Sequence, residues 1–239
     1  MTTPSYIATG FTSDGQNAVS LKIASAMRIA SRLKVNIGTS GQMNLGPTYG
    51  SNAAGDLFLA EIWTRNNASA LTYPQGWTLR AGPDTFGNSS VFWLSRDARS
   101  VGSETGGVIF QVSANSALSA IHTFRDVALT SFFESLSANG DGSNVGTVNA
   151  PTVNAGAGAG RLAVAMGGAG EAVSGISSFT GATGGTWNLD YSSFTLVGNN
   201  GAMWLETAAL AASSSITGGS FAIAPDENYA QQGFALVGT

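Results

Sequence analysis

Cysteine is absent from the 239-residue sequence, and histidine occurs only once. Without cysteine the chain cannot form a disulfide bond, a zinc knuckle, an iron–sulfur cluster or a thiol nucleophile. With a single histidine it cannot build a metal site that needs several imidazole ligands. These two counts exclude much of enzyme and metal chemistry, and we expect no cofactor.

Charged residues are also scarce, at 10% of the chain compared with about 25% in an ordinary soluble domain. Glycine, in contrast, is abundant, with 32 residues. The charges are unevenly placed. Residues 1–50 carry four basic residues and one acidic residue, a net of 4 − 1 = +3, whereas the remainder carries 6 − 13 = −7. A basic leader joined to an acidic body indicates separate roles for the two parts.

The sequence shows neither a secretory signal nor a membrane span. Residues 1–6 lack a basic region, and no apolar run follows them. Long stretches without charge, such as residues 142–160 and 207–225, are interrupted by polar residues, glycine or proline, whereas a span needs about 20 mainly apolar residues. We expect a soluble product made in the cytoplasm, with no membrane partner.

Residues 17–37 show the clearest periodicity in the chain. From Val19 to Ile37, apolar side chains occupy the odd positions, interrupted by Ser25 and Ser31. A repeat of two indicates a strand, although the alanine content leaves a helix open. As a strand, the segment projects its basic residues from one face, and we expect them either to contact an acidic protein partner or to be solvated: Lys22, Arg28, Arg32 and Lys34. Because stacking aromatics are absent there and the body is acidic, nucleic-acid binding is not expected.

Short apolar runs separated by turn residues follow this leader. They predict strands at Gln42–Leu45, Asp56–Thr64, Trp77–Ala81, Ser90–Arg96, Val108–Val112 and Leu118–Phe124. Turns such as Gly82-Pro83-Asp84 lie between them. Regular short strands of this kind are typical of an all-β sandwich or barrel. Residues 137–160, rich in Ser, Asn and Gly, are expected to form a flexible connection.

The second half of the chain resembles the first. Gly55–Ala60 corresponds to Gly160–Ala165, and later motif pairs keep their order while the offset between them grows, as loop insertions would produce. One sheet built from a single half cannot stand alone in water. We therefore predict half-repeats over about residues 55–127 and 160–237 that pack face to face, or interleave their strands, around a shared core.

The alignment of the two halves pairs four of the five tryptophans. Trp77 corresponds to Trp187, and Trp93 corresponds to Trp204. Because a tryptophan buries a large apolar area, we expect these four to anchor the core. Trp63 has no counterpart. Its alternatives are a core position or a stacking contact with a glycan.

Candidate catalytic residues are few. His122 lies in a predicted strand, and Asp126 would be about 13 Å away along it, so the two do not form part of a serine-hydrolase triad. We expect a half-buried structural histidine. Glu61 near Trp63 and Glu206 near Trp204 resemble glycosidase acids, but solvent-facing strand acids are the simpler interpretation. The chain is therefore expected not to be an enzyme.

Two glycine-rich segments look like ligand motifs. Gly158–Ala163 fits the dinucleotide-binding pattern, but that pattern has to open a helix, and a strand-like run follows here. Asn139–Asn144 resembles half of a calcium loop, with one carboxylate and no terminal glutamate. We interpret the first as a connection and the second as a turn.

Five motifs belong together in a pattern: Ala54–Ala60, Pro74–Leu79, Phe92-Trp93, Phe124–Val127 and Ala159–Leu162. Together they resemble a family found in tailed-phage virion genes and in bacterial open reading frames. The resemblance covers about residues 42–239 and implies a jelly-roll-like β-sandwich that serves as a structural or surface component of a virus particle. It implies no catalytic residue. Arg161 departs from the pattern, where the family often repeats an aspartate, and the basic leader is not part of it.

These observations lead to a sandwich of residues 42–239 preceded by an N-terminal arm of residues 1–41. We expect a non-enzymatic component of a bacteriophage virion, a head decoration or cement protein whose arm contacts the major capsid protein. The alternatives are a tail or fibre accessory that contacts a tail protein, and a carbohydrate-binding sandwich used in host adsorption. The scarcity of charge also predicts a homo-oligomer, with a trimer as one arrangement.

Overall fold

A computed structural model describes most of the chain, and every regular element in the part it describes is a β-strand. The all-β prediction is confirmed. The described residues are 27–33, 41–45, 55–65, 71–73, 75–97, 108–112, 116–128, 130–157, 160–170, 173–195 and 201–239. No helix within these ranges has the length and apolar character needed to cross a membrane.

The strands form two five-stranded antiparallel sheets and two small ones. The first sheet has the order β1-β8-β3-β6-β5, with β1 Met27–Leu33, β3 Leu57–Arg65, β5 Thr78–Phe86, β6 Ser89–Asp97 and β8 Ser116–Arg125. The second has the order β12-β13-β11-β15-β9, with β9 Phe133–Asn149, β11 Arg161–Ala169, β12 Asn188–Thr195, β13 Gly201–Leu210 and β15 Ser220–Val237. The small sheets are β2-β7-β4 (Gly41–Leu45, Val108–Val112, Leu71–Thr72) and β10-β14 (Val153–Asn154, Ser215–Ile216).

The two large sheets pack face to face, and each takes its strands from one continuous stretch of chain. Strand β3 lies over β11, β8 over β13, and β6 over β15. Of the two arrangements that the sequence left open, face-to-face packing is therefore observed, and interleaving is not. The central strands β3 and β11 are buried almost throughout, because each has a partner strand on both sides and apolar layers above and below.

The core between the sheets combines side chains from both halves. Trp93 of the first sheet stacks on Phe234 of the second, with ring centroids 4.4 Å apart and planes 10° from parallel. Leu59 and Val164, from the two central strands, belong to the same cluster. Full burial of such side chains stabilises the fold by about 1.5–3 kcal/mol each, so this layer holds the two sheets together.

The outer faces of the central strands of both sheets are buried as well. Phe58, Phe92 and Trp77 pack on the outer face of the first sheet. On the second sheet, Trp204 meets the edge of Phe221 at 5.3 Å, and residues 173–187, here named the strap, add Phe179 and Trp187 to the layer. Because the central strands of each large sheet are covered on both sides, alternation along them does not separate buried from exposed residues.

Three sequence expectations need correction. Met27–Leu33 was assigned to the arm of residues 1–41, but it is edge strand β1 of the first sheet and pairs with β8. Residues 137–160 were expected to be a flexible connection, yet they supply most of β9, which is held by β15. Trp93 and Trp204 were treated as equivalent, but they lie on different layers, because Trp93 faces the other sheet and Trp204 faces the strap side.

Candidate functional site

The most unusual group of side chains is a polar cluster between the two sheets. Glu61 lies on the central strand β3, on the face that meets the second sheet, and His122 lies on the neighbouring strand β8. Their Oε2 and Nε2 atoms are 3.2 Å apart, and neither side chain is exposed. Tyr191 of the second sheet places its ring edge-on to His122, with centroids 5.4 Å apart. The cluster therefore joins both halves of the molecule.

Burial governs the acid–base behaviour of this cluster. It raises the pKa of Glu61 well above the ordinary value of 4.5, and a backbone hydrogen bond from Gly167 acts in the opposite direction. Burial also raises the pKa of Tyr191, with a smaller contribution in the same direction from the charge of Glu61. Glu61 thus holds its proton more tightly in the folded chain than in water, and Tyr191 stays neutral across the physiological range.

The expectations for His122 and Glu61 were wrong about burial. His122 is fully buried, not half-buried, and its acidic neighbour is Glu61 across the sheet, whereas the sequence argument considered only Asp126. Glu61 was expected to face solvent and is fully buried. Both side chains are fully buried in a packed core, and they contact each other across two neighbouring strands.

A second buried carboxylate lies under the strap. Glu206 was also expected to face solvent, but it is fully buried on the outer face of the second sheet. Its Oε2 accepts a hydrogen bond of 2.9 Å from the amide of Phe179. Burial raises the pKa of Glu206 to about 8; the Phe179 amide lowers it and Asp190 raises it further. The strap is thereby tied to the sheet through a carboxyl that is largely protonated at neutral pH.

Two ion pairs fix the rim of the sandwich. Arg125 makes two hydrogen bonds of 2.8 Å to the buried carboxylate of Asp56, at the start of the central strand β3. Arg161 donates a bond of 2.7 Å to Glu134, which also accepts the amide of Gly156. Both ion pairs join segments that are distant in the chain, and in both the carboxylate oxygens accept charge-assisted hydrogen bonds. Within the described ranges, no group of three acidic or histidine side chains is arranged to hold a metal ion.

Trp63 is not available for glycan stacking. It is 0% exposed, in a cluster with Leu118, Ala120 and Met203 between the sheets. Its ring lies against two glycines of the second sheet: a Cβ atom added to Gly168 would come within 2.5 Å of it, and one added to Gly201 within 2.1 Å. A stacking platform needs an open ring face, and both faces of Trp63 lie in the core.

The remaining tryptophans are buried too. Trp77 and Trp187 lie on the outer layers, each directly before an edge strand, Trp93 lies between the sheets, and Trp204 lies under the strap side of the second sheet. The structure thus places all four predicted core anchors inside the protein. Trp63 differed from them in the sequence only in having no counterpart in the other half, and its burial could not be predicted because it depends on two glycines that are distant in the chain.

The basic residues of the leader fall largely outside the described residues. Lys22 and Lys34 lie in segments that are not described. Arg28 and Arg32 belong to β1, whose backbone pairs Arg28 with Phe124 and Arg32 with Ile121 across the first sheet. An irregularity between Arg28 and Ala30 interrupts the backbone pairing.

The two glycine-rich motifs take part in the sheets. Residues 161–169, which follow Gly160, form the strand β11, so the dinucleotide-binding pattern does not open a helix. Asn139–Asn144 lies inside β9 and was wrongly interpreted as a turn. There the carboxylate of Asp141 accepts the amide of Ser143, and the Asn139 side chain donates to the carbonyl of Asn149.

Comparison of the chain with protein-family models, with curated proteins and with solved structures found no match.

Proposed function

We propose that the chain is a non-enzymatic structural component of a bacteriophage virion, a head decoration or cement protein attached through its N-terminal arm. The observation that carries the proposal is the place of β1. This strand lies at the edge of the first sheet and, within the described chain, is paired on one side only; residues 1–26 precede it in the sequence. A sheet edge suits attachment by strand addition to a neighbouring protein.

The burial of reactive groups supports a structural role. The single histidine and the two acids beside tryptophans are fully buried, and each has a contact within the protein. All five tryptophans are buried as well, which weighs against the carbohydrate-binding alternative because stacking on a sugar needs an exposed ring. A body whose central strands are buried on both faces suits a protein whose task is mechanical.

We also propose that the two sheets derive from one duplicated half. Under this alignment β3, β5, β6 and β8 correspond to β11, β12, β13 and β15, and each set occupies the same relative order in its sheet. The glycines that precede the central strands, Gly55 and Gly160, both have a positive φ, 88° and 74°. In the alignment of the two halves, Glu61 corresponds to Met166. The sheet register pairs Glu61 with Trp93 and Met166 with Leu205, so the structural counterpart of Trp93 is Leu205, the residue after Trp204. The jelly-roll connectivity that the resemblance implies stays a prediction.

Truncation of the arm tests the attachment. Because Met27–Leu33 is part of the first sheet, the deletion has to stop at residue 26. We expect residues 27–239 to keep the β-type circular-dichroism spectrum and melting temperature of the full chain, and to lose co-sedimentation with phage particles that lack the protein. Lys22→Glu in the full chain is the milder variant and should weaken co-sedimentation, more at low salt than at high salt.

Two outcomes decide between the alternatives. If residues 27–239 sediment with particles as well as the full chain does, the arm is not the anchor. Gold-labelled antibody against the bound protein then separates head from tail, since label on the capsid supports a decoration protein and label on the tail supports the tail or fibre accessory.

A further inference from the structure

The edge strands at the two ends of the sandwich differ in how far they are blocked against pairing with another chain. At one end lie the edge strands β5 and β9, and at the other lie β1 and β12. An edge strand offers unpaired backbone groups to other chains, and proteins usually block it with proline, bulges or a covering segment. The comparison of β9 and β5 with β12 shows which edges are blocked in this way.

The edge of β9 is covered by the chain that follows it. The hydroxyl of Ser135 accepts the amide of Asn154 at 2.9 Å, and the hydroxyl of Ser137 donates to the carbonyl of Thr152 at 2.9 Å. The Asn139 side chain donates to the carbonyl of Asn149. Residues 149–156 therefore run alongside β9 and are held to it by its side chains.

The edge of β5 is blocked by its own sequence. Pro83 removes a backbone donor from the middle of the strand. The pairing of β5 with β6 shifts twice, between Leu79 and Ala81 and between Ala81 and Asp84. A strand with a proline and two bulges is a poor template for an added strand.

Strand β12 lacks these features over most of its length. It pairs with β13 along one side, and among the described residues no strand pairs with its other side. Its single bulge lies near its start, so residues 191–195 follow a regular register. It contains no proline and one charged residue, Asp190. Phe194 near its end is 62% exposed, the most exposed large hydrophobic side chain in the described part of the chain.

We propose that β12 is the interface with a second copy of this chain. The β12 strands of two copies would pair antiparallel, so that their second sheets join through a two-fold axis. Identical antiparallel strands are self-complementary, and the low charge of β12 brings little like charge together. Phe194 would be covered by the partner strand. The proposal does not depend on a virion role, because the purified chain alone is enough to form the pair.

Analytical ultracentrifugation of the purified full chain tests the pairing. We expect a concentration-dependent dimer, and Phe194→Lys should weaken it at least tenfold. Leu136→Lys is the matched control, because Leu136 is also an exposed hydrophobic residue, at 43%, but lies on the covered strand β9. It should leave the dissociation constant unchanged. Melting temperatures of both variants show whether they remain folded.

Single-cysteine cross-linking gives a second, independent measurement. The chain has no cysteine, so a disulfide-linked dimer reports only the introduced residue. In an antiparallel pair, residues that lie directly opposite each other point to the same face of the sheet, and successive residues alternate between the two faces. When the two strands are identical and related by a two-fold axis, one residue must therefore lie opposite its own copy. Tyr191→Cys, Ser192→Cys, Ser193→Cys and Phe194→Cys should show one maximum of cross-linking. Ser143→Cys, exposed on β9, should show none.

Several results would overturn the proposal. A chain that stays monomeric at every concentration and cross-links nowhere on β12 excludes a second copy as the occupant. A dimer or trimer that Phe194→Lys leaves intact, or that Leu136→Lys dissociates, places the contact elsewhere. Binding of a capsid or tail protein that Phe194→Lys abolishes, while the chain alone is monomeric, assigns β12 to a different partner.

Discussion

Glu61 Oε2 and His122 Nε2 lie 3.2 Å apart between the two sheets, with both side chains fully buried. The two residues belong to adjacent strands of the first sheet, and the ring of Tyr191 from the second sheet packs edge-on against His122. A buried acid–imidazole contact of this kind is costly to break from one side, because the remaining partner stays in a site with little solvent. Replacement of both residues by apolar side chains of similar volume is less costly, because it leaves no polar partner behind.

We therefore predict strong coupling between these two residues. Glu61→Met and His122→Phe should each lower the free energy of unfolding by about 2–4 kcal/mol, because each leaves a buried polar group without this contact. The double variant should lose less than the sum of the two, since apolar side chains of similar volume suit the surrounding core. Urea denaturation of the four proteins completes the cycle, and additive losses would contradict a direct interaction.

The buried carboxyl of Glu206 predicts a pH dependence of known sign. Its pKa rises from 4.5 to about 8 in the folded chain, so the folded state binds more protons than the unfolded state between these values. Stability therefore falls as the pH rises from about 4.5 to 8. Glu206→Gln should remove this loss and be more stable than the parent at pH 8 by up to about 4 kcal/mol. Urea denaturation at pH 5 and pH 8 measures it.

Glu134 supplies a control of opposite sign. Burial acts to raise its pKa, but the Arg161 side chain and the Gly156 amide outweigh that effect and lower it. Its contribution is present above the unfolded pKa and is lost as the pH falls through the folded one. Glu134→Gln should destabilise the chain at pH 7 and have little effect at low pH. If Glu206→Gln behaves in the same way, the carboxyl of Glu206 is not protonated in the folded chain.

The contact between Trp63 and Gly168 predicts a size-dependent coupling across the sheets. A Cβ at position 168 would lie 2.5 Å from the Trp63 ring and 2.5 Å from the backbone oxygen of Ala202, so Gly168→Ala forces the two sheets to shift. We expect a loss of about 1–3 kcal/mol in the parent chain. In a Trp63→Leu background the same change should cost less, because the smaller side chain leaves room. Thermal denaturation compares the four proteins, and an equal cost in both backgrounds would contradict the packing.

Burial of the five tryptophans predicts weak quenching of their fluorescence. Iodide should quench the folded chain several-fold less than the chain unfolded in guanidinium, because none of the indole rings lies open to solvent. Addition of oligosaccharides should not change the emission. Strong iodide quenching, or a sugar-dependent shift that Trp63→Phe removes, would restore the glycan-binding alternative.

Much of the strand pattern could be predicted from the sequence. The segments Val108–Val112 and Leu118–Phe124 were placed within two residues, because short apolar runs between turn residues carry the signal. Strand β9 could not be predicted, since its Gly- and Asn-rich sequence has no strand propensity of its own. It is a strand because β15 and residues 149–156 hold it on both sides.

The buried acids were missed for a different reason. Alternation separates polar from apolar residues only where one face of a sheet meets solvent. In β3 both faces are covered, so Glu61 is as buried as Phe58 or Leu59. The local sequence pattern around Glu61 and Glu206 is the same as for a surface strand. The segments that cover them are distant in the chain: Phe179, which contacts Glu206, is more than 25 residues away, and Gly167, which contacts Glu61, is more than 100 residues away.

The proposal of a virion role is tested most directly by mass spectrometry of phage particles purified from the host that carries this gene. The account predicts peptides of this chain in the purified particles in fixed ratio to the major capsid or tail protein, and retained after a salt wash that removes loosely bound proteins. Particles that are intact and infectious yet contain no peptide of the chain would contradict it.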